Sequence, residues 1–195
     1  MATGKSPTPK SRTGSAGRQK NSSRSSSSSA RRSLQSVASL PKDWSEFLRL
    51  LISHRVRFLL VGAHALAVHG IARATEDLDV LVEPSRRNVE PLRRSLSAFG
   101  FPELAHSADQ FILPKRMATL GVAPLEIDIL NSLTGVTFAA AWKGKSIANV
   151  GGLKVPVLGL ATYVLNKAAT GRPKDRLDLE LLRERGLLPK NKPQR

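Results

Sequence analysis

"DLDVLV", residues 77–82, puts two carboxylates at the head of an apolar run, and the fold turns on how that run is read. In a strand, residues i and i+2 share a face. Asp77 and Asp79 then point the same way, their backbones about 6.6 Å apart at roughly 3.3 Å rise per residue. Leu78, Val80 and Val82 point to the opposite face. A second segment repeats the pattern: "LEIDIL", 125–130, sets Glu126 and Asp128 on one face and Ile127 and Ile129 on the other. Side by side, the two strands would crowd three or four carboxylates onto one patch of sheet. Crowded carboxylates raise one another's pKa unless a cation sits among them. Hard divalent cations, Mg²⁺ foremost, suit an all-oxygen donor set, and a pair of them clamps the attacking and leaving oxygens of a phosphoryl group. A lone Asp-x-Asp reads more simply as two solvent-facing acids on a half-exposed sheet. The second acidic strand reverses that preference.

Working upstream, "VRFLLVG" (56–62) is short, apolar and ends on glycine, the pattern of a buried strand. "AHALAVHG" (63–70) suits a two-turn helix stopped by Gly70. A strand that ends in Gly62 and opens into a helix aims backbone N–H groups at a phosphate. Arg73 and Thr75, just before the first aspartate, are placed to donate to phosphate oxygens, although Arg73 taken alone reads equally well as a surface cation. His64 and His69 are five apart and do not form a metal pair; both read as local packing or polar-face residues. Further upstream, Trp44, Phe47, Leu48 and Leu51 fall at i, i+3, i+4 and i+7, a helix with one buried stripe.

Downstream, residues 85–100 space Val89, Leu92, Leu96 and Phe99 helically, with Pro91 suggesting an irregular first turn or a late start. "RMATLG" and "PLEIDIL" flank a Gly-Val-Ala-Pro turn, and "SIANV" and "LKVPVL" flank Gly151-Gly152; both read as hairpins. "TFAAAW" (137–142) is a short helix. "LATYVLNKAAT" and "KDRLDLELLRER" form a helical pair joined by "GRP". In the first, Leu160, Val164 and Leu165 make the stripe, with Lys167 at its border as an ordinary solvated lysine. In the second, Asp175 and Asp178 favour the helix dipole. Strands interleaved with helices throughout give an α+β (mixed α/β) class.

Net charge is +16, unevenly placed. Residues 1–42 carry nine Lys or Arg, thirteen serines and no acid, leaving 22 basic and 15 acidic residues in 43–195. Such a segment buries too little to offset its ordering entropy, so 1–42 is expected to be a disordered basic tail, 43–188 one domain and 189–195 a short terminal tail. The tail's charge allows contact with nucleic acid, reads more blandly as a solvated appendage, and has the Arg/Ser-rich composition of a transit peptide. "TGKS" at 3–6 imitates a P-loop but lacks the upstream glycine and strand. The chain has no cysteine, which excludes disulfides and thiolate-bound zinc. Without an apolar run long enough for a bilayer or a secretory signal, no membrane association and a cytoplasmic location are expected.

The sequence of features, a strand ending in glycine, a helix, Asp-x-Asp at a strand head and a third Asp on a later strand, resembles the nucleotidyltransferase superfamily related to DNA polymerase beta. Within it, "LLVGAHALAVHGIARATEDLDVLV" (59–82) is similar to the small bacterial AbiEii-like enzymes associated with abortive infection and toxin–antitoxin systems. The similarity continues through "LEIDIL", "GVTFAAAW", "VPVLGL" and "NKAATGRPKDRLDLELL". It implies a nucleotidyltransferase fold, a mixed β-sheet flanked by helices with a C-terminal helical pair. It also implies transfer of a nucleoside monophosphate from an NTP with two Mg²⁺ (or Mn²⁺) ions. By the resemblance, Asp77, Asp79 and Asp128 are metal ligands, with Asp128 also assisting deprotonation of the acceptor hydroxyl. Gly62 and Ala63 form the phosphate turn, Ala63 standing where the superfamily usually has Ser or Gly. Lys167 reaches the phosphates, and Asp175 binds or anchors the helices. The acceptor stays open: an RNA end such as tRNA, a protein hydroxyl or a small molecule. A small antitoxin is the implied protein partner. Two other readings stand beside it: a binding or regulatory protein on the same scaffold with lapsed catalysis, and a nucleic-acid-binding protein led by the basic tail.

Overall fold

Alternation of apolar and polar residues converts directly into strands and helices here. The computed structural model describes residues 36–37 and 40–188; the rest of the basic segment with its "TGKS", and 189–195, lie outside the described residues. The chain runs β1 (Ser36–Val37), α1 (Lys42–Ser53), β2 (Phe58–Leu60), α2 (Gly62–Val68), β3 (Asp77–Val82), α3 (Arg86–Ala98) and α4 (Pro102–His106). A 3₁₀ turn (Ala108–Ile112) then leads to β4 (Met117–Leu120), β5 (Glu126–Leu130), α5 (Phe138–Lys143), β6 (Ser146–Val150), β7 (Leu153–Val157), α6 (Leu160–Thr170) and α7 (Pro173–Glu184).

The strands form one mixed sheet in the order β1-β6-β7-β2-β3-β5-β4. Both expected hairpins form, β4 antiparallel to β5 and β6 antiparallel to β7. The decisive pairing is β3 with β5, parallel, with Asp77 opposite Glu126 and Asp79 opposite Asp128. Two residues of the basic segment, Ser36 and Val37, add a parallel edge to β6.

Phe58, Leu59 and Leu60 are all essentially inaccessible, so β2 is covered on both faces. The α1 stripe of Trp44, Phe47, Leu48 and Leu51 is buried in full. Burying each such side chain contributes about 1.5–3 kcal/mol. Along β3 the alternation holds only at the start: Leu78 is buried and both aspartates are half-buried, whereas Val80, Leu81 and Val82 are all buried. The strand therefore emerges from the core at its acidic end.

Two expectations change, and one stretch had no reading. Helix α3 begins at Arg86 with Pro91 inside it, rather than late. Its first turns need no N–H from Pro91 to dock, because Asn88, buried, fixes them: its amide donates to the Arg57 and Glu83 carbonyls and accepts from Arg57 N–H. The buried face of α6 is Thr162, Tyr163, Asn166 and Lys167, and Leu165 is 59% exposed. Polar groups line that face because they face other polar groups on α7. The elements α4 and the 3₁₀ turn, five residues each, are too short to show a period.

Candidate active site

The β3–β5 register places Leu78, Val80, Ile127 and Ile129 on the core face, which leaves Asp77, Asp79 and Asp128 on the other. One carboxylate oxygen from each lies within 4.8 Å of the others. Glu126 shares that face but stays outside the cluster, so three carboxylates gather, not four. Each outer aspartate is held by a hydroxyl: Thr75 donates to Asp77 and Thr119 donates to Asp128 at 2.6 Å. One oxygen of each is thereby fixed, and the other remains an acceptor. Thr75 thus orients a carboxylate rather than facing the cavity. Thr119 went unread in the sequence, although the β4–β5 hairpin register sets it directly opposite Asp128.

Asp79 sits deepest. Burial, then the Asp77 and Asp128 charges, push its pKa up to about 6, against the pull of Lys167 and Lys174. A carboxylate in that state gains from any cation that replaces the missing charge balance. The donor set is all oxygen and closely spaced, and it fits a hard divalent ion.

Above the triad lies a cavity of about 300 Å³. Gly62 forms part of its wall, at a positive φ of 61°. A Cβ there would stand 1.8 Å from the Asp79 Oδ2, so only glycine allows the turn and the carboxylate to coexist. Ala63 is buried and is not part of the cavity wall; its side chain packs into the core. The cavity is also lined by Arg73, Lys167, Arg172 and Lys174, four cations facing three acids.

Lys167 is not a solvated lysine. It is 5% exposed, with its Nζ 2.6 Å from Asp175 and 3.0 Å from Asp178. Asp178, read from sequence as a dipole partner, is buried and accepts from the Tyr163 hydroxyl at 2.8 Å and from Arg73 Nε at 3.1 Å. Its burial follows from its position: it lies on the α7 face turned towards α6, where Lys167 and Tyr163 wait. Burial pushes Asp175 up, but hydrogen bonds from Arg172, Lys167 and Thr170 outweigh it and hold the carboxyl well below the ordinary range. Asp175 therefore anchors α6 to α7 behind the cavity and does not line it. Tyr163 and Asp178 had no legible signal beyond helical spacing; Arg172 and Lys174 were legible only as the basic residues of "GRPKD".

Both histidines pack locally, as expected. His69 Nε2 donates to the Leu158 carbonyl at 2.8 Å. His64 meets Trp44 edge-on at 5.2 Å, and burial lowers its pKa against the raising effect of Asp77.

No protein-family model matches the chain, and neither does any curated protein. Among solved structures it is similar to TM1012 of Thermotoga maritima, described as a proposed nucleotidyltransferase, at 16% identity over 72% of this chain and 88% of that one, with a TM-score of 0.44.

Proposed function

We propose that the protein is a metal-dependent nucleotidyltransferase that moves a nucleoside monophosphate from an NTP to a hydroxyl acceptor and releases pyrophosphate. The observation that carries this reading is the convergence of Asp77, Asp79 and Asp128 within 4.8 Å beneath a cavity walled by cations. Asp77, Asp79 and Asp128 would hold two divalent ions, Mg²⁺ or Mn²⁺, whose chemistry is to neutralise charge on the transferring phosphoryl group.

The chain's own residues do the rest. Asp128, fixed by Thr119, accepts the proton of the acceptor hydroxyl as its oxygen attacks the α-phosphorus. The bond from that phosphorus to the bridging oxygen breaks, and pyrophosphate carries away the electron pair. Gly62 brings backbone, without a side chain, against the phosphates. Arg73, Arg172 and Lys174 balance their charge, and Lys167, tethered by Asp175 and Asp178, presents a fixed cation that needs no reordering. Positioning and charge neutralisation dominate such chemistry.

The finer form of the proposal follows the resemblance of 59–82 and 166–182 to AbiEii-like enzymes: a cytoplasmic toxin–antitoxin component with an RNA end, protein hydroxyl or small molecule as acceptor. Among the described residues no helix is long and apolar enough to cross a membrane. The test is incubation with each α-labelled NTP, Mg²⁺ and cell extract, followed by identification of the labelled species. Label transfer lost in Asp79→Asn is expected. Absence of transfer from all four NTPs by the unmutated chain defeats the reading in favour of a lapsed enzyme with a binding role.

A further inference from the structure

A second cavity, about 430 Å³, opens beside the first, and Leu130, Leu133, Asn166 and Arg172 line both. Its chemistry differs from that of the acidic site. Among the described residues no carboxylate lines it; its wall is apolar at Leu130 and Leu133 and neutral polar at Ser132, Thr134 and Asn166, with Arg172 as the one described cation. With one cation against the four of the first cavity, it offers a triphosphate little to balance its charge. A flat, partly apolar group with a few hydrogen-bonding atoms fits it better.

Asn166 gives the cavity a direction. It is 8% exposed, and its Nδ2 donates to the Thr134 carbonyl at 3.0 Å. A carbonyl can only accept, so this bond fixes which way the amide is turned. The Oδ1 accepts no hydrogen bond from the described residues. The result is an oriented acceptor at the wall common to both cavities, one residue before the cavity-lining Lys167.

Resting on the nucleotidyl-transfer reading, we propose that the second cavity is the nucleoside subsite and that Asn166 is its specificity-determining residue. Its Oδ1 accepts a hydrogen bond from an N–H or O–H donor of the bound nucleotide, supplied by a base amino group or a ribose hydroxyl. Leu130 and Leu133 pack against the nucleoside, while its phosphates extend over the aspartates.

The test measures dissociation constants of the full chain in Mg²⁺ for inorganic tripolyphosphate, the four NTPs and their 2′-deoxy forms. The NTP bound best is expected to bind about tenfold tighter than tripolyphosphate, the scale of one hydrogen bond with its partner otherwise left unpaired. Loss of that advantage in the 2′-deoxy form assigns the donor to ribose; a preference for amino-bearing bases, kept in the deoxy form, assigns it to the base. Asn166→Leu is expected to erase the discrimination while leaving tripolyphosphate binding intact. Because Asn166 also anchors Thr134, Ser132→Trp serves as a second variant: it fills the cavity from an exposed position and is expected to bring NTP affinity down to that of tripolyphosphate. Tripolyphosphate and all nucleotides binding alike to the unmutated chain, or Ser132→Trp leaving NTP affinity unchanged, overturns the subsite and leaves the metal site standing. Failure of tripolyphosphate itself to bind in Mg²⁺ overturns both.

Discussion

A Cβ built on Gly62 would stand 1.8 Å from the Oδ2 of Asp79. The turn that closes β2 and the carboxylate at the centre of the triad therefore occupy adjoining space with no room for a methyl group. Gly62→Ala is expected to displace Asp79 and to strain a backbone at φ 61°, costing about 1–3 kcal/mol. Thermal unfolding with and without Mg²⁺ checks it: the variant should melt lower and lose the Mg²⁺-dependent rise in Tm.

Asp79 itself gives a pH signature. Its folded pKa, raised to about 6 by burial and by Asp77 and Asp128, lies above the ordinary value. Between about pH 4 and pH 6 the metal-free folded state holds a proton that the unfolded state has released, so stability falls as pH rises through that window, by up to about 3 kcal/mol. Asp79→Asn removes this loss. In chelator at pH 8 the variant should be the more heat-stable protein, and at pH 4 the two should be close. In saturating Mg²⁺ at pH 8 the order is expected to reverse.

The pair of Lys167 with Asp175 and Asp178 is nearly dry. Lys167→Met leaves two buried carboxylates without their shared cation and is expected to destabilise by about 3–5 kcal/mol, read by urea unfolding at pH 7. For Asp175, whose pKa is held below the ordinary range, the sign is opposite to that of Asp79: its contribution is present above about pH 4 and is lost only under acid. Asp175→Asn should lower stability at pH 7 and flatten the acid limb of the profile.

Thr119 is exposed and its hydroxyl holds Asp128 at 2.6 Å. Thr119→Val is expected to leave the Tm nearly unchanged while reducing the rate of nucleotidyl transfer by about tenfold or more, on the scale of one hydrogen bond to a charged group. Steady-state kinetics against the melting curve separates the two effects.

The sheet and the triad were legible because both rest on period-two alternation: "DLDVLV" and "LEIDIL" can bury Leu78, Val80, Ile127 and Ile129 together only with the aspartates gathered opposite. The helices α1 and α3 were legible by the same kind of argument at period 3.6. The C-terminal pair was legible as two helices, but not the face by which they meet. Its inner face is built from Tyr163, Lys167, Asp175 and Asp178, and charges satisfied by one another carry no hydrophobic pattern. Reading Leu165 as buried followed the apolar residues, whereas the polar network decides which side of α6 faces in. Thr75 and Thr119 act through single hydrogen bonds, which leave no trace in composition or spacing.

Arg73 meets Asp178 across 105 positions of chain. All three aspartates have been synthesised by residue 128, yet Lys167, Arg172, Lys174 and the carboxylate that grips Arg73 come only with α6, α7 and the turn between them. A nascent chain leaving the ribosome thus carries the acidic floor, with Arg73 alone, before the other three cations of the wall have been made. A chain stopped before α7 keeps the three aspartates but loses Lys174 and the two carboxylates, Asp175 and Asp178, that hold Lys167 and Arg73 in place.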